Sequence, residues 1–370
     1  MRRVKIAVVG AGLISQVEHI PNLIFLRDRF DLLAVADPSP ATREHITKRY
    51  GISAFPTLEE IFPLKPEAIV VGAPDAYHSD IVGEALARRL HVFCEKPLAL
   101  SAPEISELIL KRDASGCVLQ VGYMKRWDPS YELLLKKVAD LGSTLRFISV
   151  EVNDPDSWPY VDHHSFFRPH DLPEQLRSEN LARLKAHAQQ AVGRALGSDE
   201  ITAYTESYSA CMIHDLNAVM GLLDEMQVHD RRALGGSIFA NGKGASAVLA
   251  LNQSQAICHL AYVSVPKLAD YNERISLLFE DRRFELAFPS PYLNNFPARL
   301  VAYTSDGSQL QVAEYRNGFH EAFVRELVGF WGAIVNGEQV RNTAEQARED
   351  MVLIAKFMAL ALGTGVTLGT

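Results

Sequence analysis

What is scarce in this 370-residue chain narrows it first. It holds four cysteines, Cys94, Cys117, Cys211 and Cys258, far apart and set among apolar neighbours. Without paired spacing they offer neither a disulfide framework nor a zinc site, and they predict reduced core thiols. No apolar run approaches the roughly 20 residues that a membrane-spanning helix needs, so no membrane partner is expected. Met1-Arg2-Arg3 ahead of an apolar stretch imitates a secretion signal. Gly10, Gly12, Gln16, Glu18 and His19 interrupt that stretch, and no cleavage-type segment follows. Blocks of lysine or arginine are missing and the net charge is -8, so nucleic acid is not an expected partner either. Internal repeats and low-complexity tracts are absent from the sequence. A cytoplasmic globular protein remains, with 48% apolar residues and a mean hydropathy of -0.01, long enough for two domains.

Of what is present, the opening stretch carries most. Val4 to Val9 is a β-branched run of strand length, broken by Gly10-Ala11-Gly12. A helical pattern follows through Ile14, Val17, Ile20, Leu23 and Leu26. Gly10 permits a tight turn, and Gly12, having no Cβ, lets a diphosphate reach the backbone. The N–H groups that open the next helix, at Leu13 and Ile14, are suited to that anion. Ser15 takes the third small position of the fingerprint. A second strand, Leu32 to Ala36, ends in Asp37, whose carboxylate suits an adenosine ribose diol and repels a 2′-phosphate. NAD is therefore expected rather than NADP. Asp37 also has a plainer role open to it, as N-cap of the helix after Pro38.

Strand and helix signals keep alternating to residue 124. Helix 41–50 stops at Gly51, and Thr57-Leu58-Glu59-Glu60 has the pattern of a helix start. Ala68–Val71 and His91–Cys94 are buried strands around helix 75–89, followed by helix 102–113 and strand 117–121. The fold class predicted is α/β: an N-terminal doubly wound Rossmann domain over 1–124, with ligands beyond the carboxyl ends of its strands. Residues 125–370 predict a C-terminal α+β domain for substrate binding and oligomerisation, with a mostly antiparallel open sheet. Its strands fall at 144–153, 246–254, 257–265, 273–279, 282–287, 299–304 and 309–314, with hairpin turns at Asn241-Gly242 and Asp306-Gly307. Helices fall at about 129–140, 202–223, 319–336 and 343–362. Residues 154–200 interrupt this pattern as a Pro- and His-rich, then helical, insertion. The open sheet face needs cover, and a homodimer or homotetramer through it is the expected solution.

Three segments carry a family resemblance. Gly72-Ala73-Pro74-Asp75-Ala76-Tyr77-His78, then Glu95-Lys96-Pro97, are similar to the T-P-x-x-x-H and E-K-P elements of the Gfo/Idh/MocA oxidoreductases (glucose–fructose oxidoreductase, inositol dehydrogenase and relatives). Val121-Gly122-Tyr123-Met124-Lys125-Arg126-Trp127-Asp128-Pro129 resembles their G-[FY]-x-x-R-[FW]-x-P element. His214-Asp215-Leu216-Asn217 resembles their G-x-H-x-x-D element. The resemblance spans essentially the whole chain. It implies NAD(P)-linked hydride transfer on a secondary alcohol of a sugar, sugar derivative or cyclitol. It also implies that Ala73, Pro74, His78, Glu95 and Lys96 join Gly10, Gly12, Leu13, Ile14 and Asp37 at the cofactor. Tyr123, Lys125 and Asn217 are implied at the substrate, and a cis bond is common before the proline of E-K-P.

The chemistry needs a base for the hydroxyl proton and a cation for the oxygen. His214 is the candidate base, since an imidazole titrates near neutral pH. Lys96, just past a strand end, is the candidate for stabilising charge on the reacting oxygen. The bland alternatives are a helix histidine bonded to a carbonyl and a surface lysine paired with Glu95. One departure stands out. Members of the inositol dehydrogenase type carry an Asp four residues before this His, where this chain has Ala210; Met212 and Asn217 replace a Gly and the later Asp. Tyr208, Tyr123, Asp162, His163 and His164 are candidates to orient His214 instead. Asp215 lies about 100° around the helix and is a poor substitute.

Ser157-Trp158-Pro159-Tyr160, Asp162-His163-His164 and Arg168-Pro169-His170-Asp171 lack regular ligand spacing, so no metal is expected. Trp158 and His163 are instead expected to shape a carbohydrate pocket, the ring covering a sugar's C–H face. Two alternatives to a dehydrogenase stay open. One is a glycoside-cleaving relative that oxidises its substrate transiently with held NAD, the other a non-catalytic cofactor-binding regulator.

Overall fold

The computed structural model describes residues 1–363. The chain opens with β1 (Val4–Val9), a π-helical turn (Ser15–His19) running into α1 (Ile20–Phe25), and β2 (Phe30–Ala36). Then come α2 (Pro40–Tyr50), β3 (Ser53–Phe55), β4 (Ala68–Val71), α3 (His78–Ala87), β5 (His91–Glu95), α4 (Ala102–Ser115) and β6 (Leu119–Gly122). The six strands pair in parallel in the order β3-β2-β1-β4-β5-β6. That order reverses between β1 and β4, the switch point at which doubly wound sheets hold ligands. Sequence logic is visible locally. Ser39 and Ser101 cap α2 and α4 through their hydroxyls, each with proline in the first turn, and Gly51 and Gly116 end them in the left-handed conformation.

The chain continues with α5 (Pro129–Val138), β7 (Leu145–Asp154), α6 (Trp158–Val161), α7 (Glu174–Val192) and α8 (Ser198–Thr202). A ten-residue π-helical stretch (Ala203–Met212) leads into α9 (Ile213–Glu225). Seven strands follow: β8 (Arg231–Phe239), β9 (Gly244–Leu251), β10 (Ala256–Ser264), β11 (Asn272–Phe279), β12 (Arg282–Phe288), β13 (Arg299–Ser305) and β14 (Leu310–Arg316). α10 (Ala322–Asn336) and α11 (Ala344–Ala361) end the described chain. The eight-stranded sheet has the order β14-β13-β12-β11-β7-β10-β9-β8 and is antiparallel except between β7 and β10. Both hairpin turns lie where the sequence puts them, Asn241-Gly242 between β8 and β9 and Asp306-Gly307 between β13 and β14. Among the described residues no helix is long and apolar enough to cross a membrane.

Two compact units result, and their composition differs from a division at residue 124. The first contains Met1–Gly122, Val161–His187 and Phe323–Glu349; among the described residues the second contains Tyr123–Tyr160, Ala188–Ala322 and 350–363. The physical reason is burial. Leu327 and Phe330 of α10 lie in one core with Val4, Ile6, Val8, Val35, Val70 and Phe93, while Val324, Val328 and Trp331 pack against it. Trp331 Nε1 donates to Arg2 O at 2.9 Å, and Gln120 Nε2 donates to Glu326 O at 2.9 Å. So a face of the parallel sheet is covered by a helix encoded near the far end of the chain.

Two further expectations are corrected, and one strand had no clear bounds in the sequence. Thr57–Glu60 starts no α-helix: the segment forms turns and a short 3-10 turn at Phe62–Leu64, because Pro63 and Pro66 supply no N–H donors to extend it. β8 was not legible as a strand. Gly235-Gly236 and a bulge between Ala233 and Gly235 break its alternation, and it lies at a sheet edge with little burial. All four cysteines are thiols and not disulfides, but only Cys94 and Cys258 are buried, with Cys117 and Cys211 half-exposed.

Candidate functional site

Strand register builds the first site. Val9 pairs with Ala36 on one side and Val71 on the other, and Val71 pairs with Cys94. The next residue outward on each of these four neighbouring strands is therefore Gly10, Asp37, Gly72 or Glu95. Gly10 has φ +90° and abuts the backbone of Ala73, so a side chain there is excluded twice over. Gly12 is different. It is exposed, and a Cβ built on it would meet only Gly72 O at 3.8 Å. Ser15 is buried with its hydroxyl where a Cβ on Gly72 would fall, which is the close helix–strand approach expected of the third fingerprint position. Leu13 and Ile14, both half-exposed, open the helix beside it. The bare, exposed backbone at Gly12 fits a diphosphate.

Asp37 is held by its neighbours. Its Oδ2 accepts from Ala11 N–H and its Oδ1 from Ser39 N–H, each at 2.9 Å. Burial pushes its pKa up, against the pull of those two N–H groups and of Arg43; the Asp171 charge pushes it up further. The N-cap of α2 is Ser39, whose Oγ accepts from Thr42 N–H at 3.0 Å, so the plainer role of Asp37 falls to Ser39. Each Asp37 oxygen keeps a further lone pair for a diol.

On the other side of the switch point, Ala73 is half-buried and Pro74 exposed. His78, expected at the cofactor, is wholly buried. Its Nδ1 lies 2.8 Å from Pro97 O and its Nε2 2.8 Å from Ala73 O, so it ties together the turns after β4 and β5. Glu95 is buried as well, with Oε1 2.7 Å from His19 Nε2. Burial opposes its charge, but the His19 bond and the Lys96 charge hold it below the usual carboxylate range. Glu326 of α10 belongs to the same buried group, with ligand-type atoms of His19, Glu95 and Glu326 all within 4.8 Å of one another. Burial, then Glu95 and Glu18, push the Glu326 carboxyl well up. The two carboxyls are thus pushed in opposite directions, as happens when two acids share a buried site. Lys96 follows directly, half-exposed, with a cis bond to Pro97.

In the second unit His214 stands in the first turn of α9, half-buried. Its expected companions are mostly engaged elsewhere. The Tyr208 hydroxyl donates between Ser246 O at 2.8 Å and Ser237 O at 3.2 Å, and burial raises its pKa. Tyr123 is wholly buried. Asn217 is buried and donates through Nδ2 to Asp350 Oδ2 at 2.7 Å. Lys125 is buried with Asp215 at 3.0 Å and Glu273 as a second carboxylate partner, and Glu273 also accepts from the Tyr271 hydroxyl. Burial raises the Asp215 pKa and Lys125 pulls it back. Asn217 and Lys125, expected at the substrate, thus direct donors at buried carboxylates. Trp158 is exposed at the start of α6, and Asp162 and His163 are exposed in a 3-10 turn of the first unit.

Sequence reasoning missed His19, Glu326, Ser39 and Asp171. His19 follows the fingerprint by a single helical turn and was findable; the partners of Glu326 and Asp171 are too distant in sequence to be.

Comparison with known proteins agrees with this geometry. A family profile described as an oxidoreductase family with an NAD-binding Rossmann fold matches residues 4–123. The inositol 2-dehydrogenase of Rubrobacter xylanophilus is 34% identical over 142 residues, 37% of this chain and 40% of that protein. The scyllo-inositol 2-dehydrogenase (NAD(+)) of Bacillus subtilis is 30% identical over 131 residues, 35% of this chain and 38% of that one. The chain thus matches about two-fifths of the length of these curated relatives. A crystal structure of a putative NADPH-dependent oxidoreductase from Desulfitobacterium hafniense shares the fold at a TM-score of 0.75 and 11% identity, covering 98% of this chain and 97% of that one.

Proposed function

From the premise that residues 4–123 belong to the Gfo/Idh/MocA oxidoreductase family, we propose that this protein is an NAD-dependent dehydrogenase. Its substrate is a secondary alcohol of a sugar, sugar derivative or cyclitol. The observation that carries this is the register placing Gly10, Asp37, Gly72 and Glu95 level on four neighbouring strands, with Gly12 bare and Lys96 next in line. When bound, nicotinamide supplies a hydride acceptor. Gly12 and the N–H groups of Leu13 and Ile14 hold the diphosphate, Asp37 holds the ribose diol, and Ala73 and Pro74 border the cofactor. Glu95 and His78 position the turn that carries Lys96. Lys96 stabilises charge on the reacting oxygen and His214 takes the hydroxyl proton. Trp158 and His163 serve the sugar, and a second copy covers the open face of the eight-stranded sheet.

A second reading is favoured by Ala210. Without the acid four residues before His214, the protein oxidises a glycoside transiently and releases a cleaved product with no net cofactor reduction. The test is turnover of a polyol and glycoside panel with NAD and NADP, followed by reduced-cofactor absorbance and by product analysis. K96A is expected to lose about 100-fold or more in turnover while still binding NADH. A K96A enzyme at full activity, or wild type that binds no dinucleotide, would overturn the proposal.

A further inference from the structure

We propose that Asp171 selects the cofactor: its carboxylate occupies a phosphate seat at the start of α2 and shuts out dinucleotides carrying a 2′-phosphate. Resting on the dinucleotide role proposed above, this assigns a specificity function to a residue 132 positions beyond Ser39, outside the repeating strand–helix pattern.

The seat is built from α2. The Ser39 hydroxyl donates to Asp171 Oδ1 at 2.6 Å, and Ala41 N–H donates to Asp171 Oδ2 at 2.8 Å. Arg43 stands one turn further on, its Nη1 donating to Asp37 O at 2.8 Å and Pro38 O at 2.9 Å. A hydroxyl, a free-end N–H and a guanidinium at the positive end of a helix are a complement that suits a phosphate monoester. Here a side chain of the protein takes the first two.

The seat also lies where a 2′-phosphate would need it. Ser39 is two residues past Asp37, and its own N–H bonds the Asp37 carboxylate. A carboxylate at the end of the second strand receives the ribose diol in such folds, with an arginine nearby accommodating a 2′-phosphate where one is bound. Asp171 places a second negative charge at that point and competes for Arg43. The two acids sense each other, since Asp171 pushes up the Asp37 carboxyl, while the Ser39 and Ala41 donors hold Asp171 itself below its usual range.

Asp171 is on a segment fixed to the first unit rather than on a loose loop. The Gln16 amide makes a reciprocal pair with the Phe167 backbone, Nε2 to Phe167 O and Phe167 N–H to Oε1, both at 3.0 Å. Phe167 stacks on His45 of α2 with ring centroids 5.1 Å apart, and Arg49 Nη1 donates to Ser165 O at 2.9 Å. Three anchors therefore precede Asp171 along the segment.

The experiment titrates wild type, D171N and D171A with NADH and with NADPH, read by cofactor fluorescence. D171N removes the charge and keeps an acceptor for Ala41; D171A empties the seat. Wild type should prefer NADH, and in at least one variant the NADPH-to-NADH affinity ratio should rise about tenfold, with NADH affinity itself changed less than about threefold. A ratio that moves less than about threefold in both variants, with both nucleotides still bound, overturns the role of Asp171 alone. Wild type preferring NADPH overturns it too. Failure of wild type to bind either nucleotide overturns the dinucleotide role and this proposal with it.

Discussion

Lys125 Nζ lies 3.0 Å from Asp215 Oδ1 inside the second unit, and Glu273 is its other carboxylate partner. All three side chains are buried, so one ammonium serves two acids. K125M should cost about 3–5 kcal/mol, because it leaves both carboxylates in the interior without a cation. Denaturant unfolding measures the loss. A change confined to substrate KM, with stability intact, would instead support a substrate contact by Lys125.

Gly10 and Gly12 stand two residues apart and should fail in different ways. G10A puts a side chain at φ +90° against the Ala73 backbone and should destabilise by about 2 kcal/mol or more. G12A makes only an ordinary contact with Gly72 O and should alter stability by less than about 0.5 kcal/mol. It should nonetheless weaken NADH binding by about tenfold, since a methyl group intrudes where the diphosphate approaches. Thermal unfolding and fluorescence titration of the same two variants separate the effects.

Glu321 gives stability a pH dependence. Burial, helped by Asp128, pushes its carboxyl up from an ordinary 4.5 to about 7. Below pH 4.5 it is protonated whether the chain is folded or not, so it contributes no difference. As pH rises toward 7 the unfolded chain ionises more readily than the folded one, and the folded state loses ground. E321Q should therefore match wild type near pH 4.5 and exceed it by about 1 kcal/mol at pH 8, a figure reduced for partial solvation. Unfolding at the two pH values tests the sign.

Phe330 is buried in the core of the first unit, its ring edge-on to Phe93 at 5.9 Å. F330A should cost about 3–5 kcal/mol. Residues 1–124 expressed alone should show no cooperative unfolding, because Leu327 and Phe330 are missing from that core. A sharp transition from this fragment would show that α10 is dispensable.

How much of this was legible depends on the range of the signal. The parallel strands, the glycine turn and the two hairpins declare themselves within a dozen residues, through β-branched runs, bare glycines and Asn-Gly or Asp-Gly pairs. Lys125 did not, because a buried lysine and an exposed one look alike until Asp215 and Glu273 are placed. Leu327 and Phe330 read as an ordinary amphipathic helix, with nothing to say which sheet their apolar face would cover. β8 was lost to its own glycines. The π-helical stretch at Ala203–Met212 has no local signature either, and it carries the position where Ala210 departs from the expected acid.

That α10 completes the N-terminal core bears on how the chain is made. A nascent chain of 124 residues has the whole parallel sheet in its sequence but lacks Leu327 and Phe330. During synthesis these strands must wait for some two hundred further residues before that face is covered. Domains that emerge first ordinarily finish first. Here the parallel sheet is sealed long after its own strands are made, and the interval is when a chaperone would find it exposed.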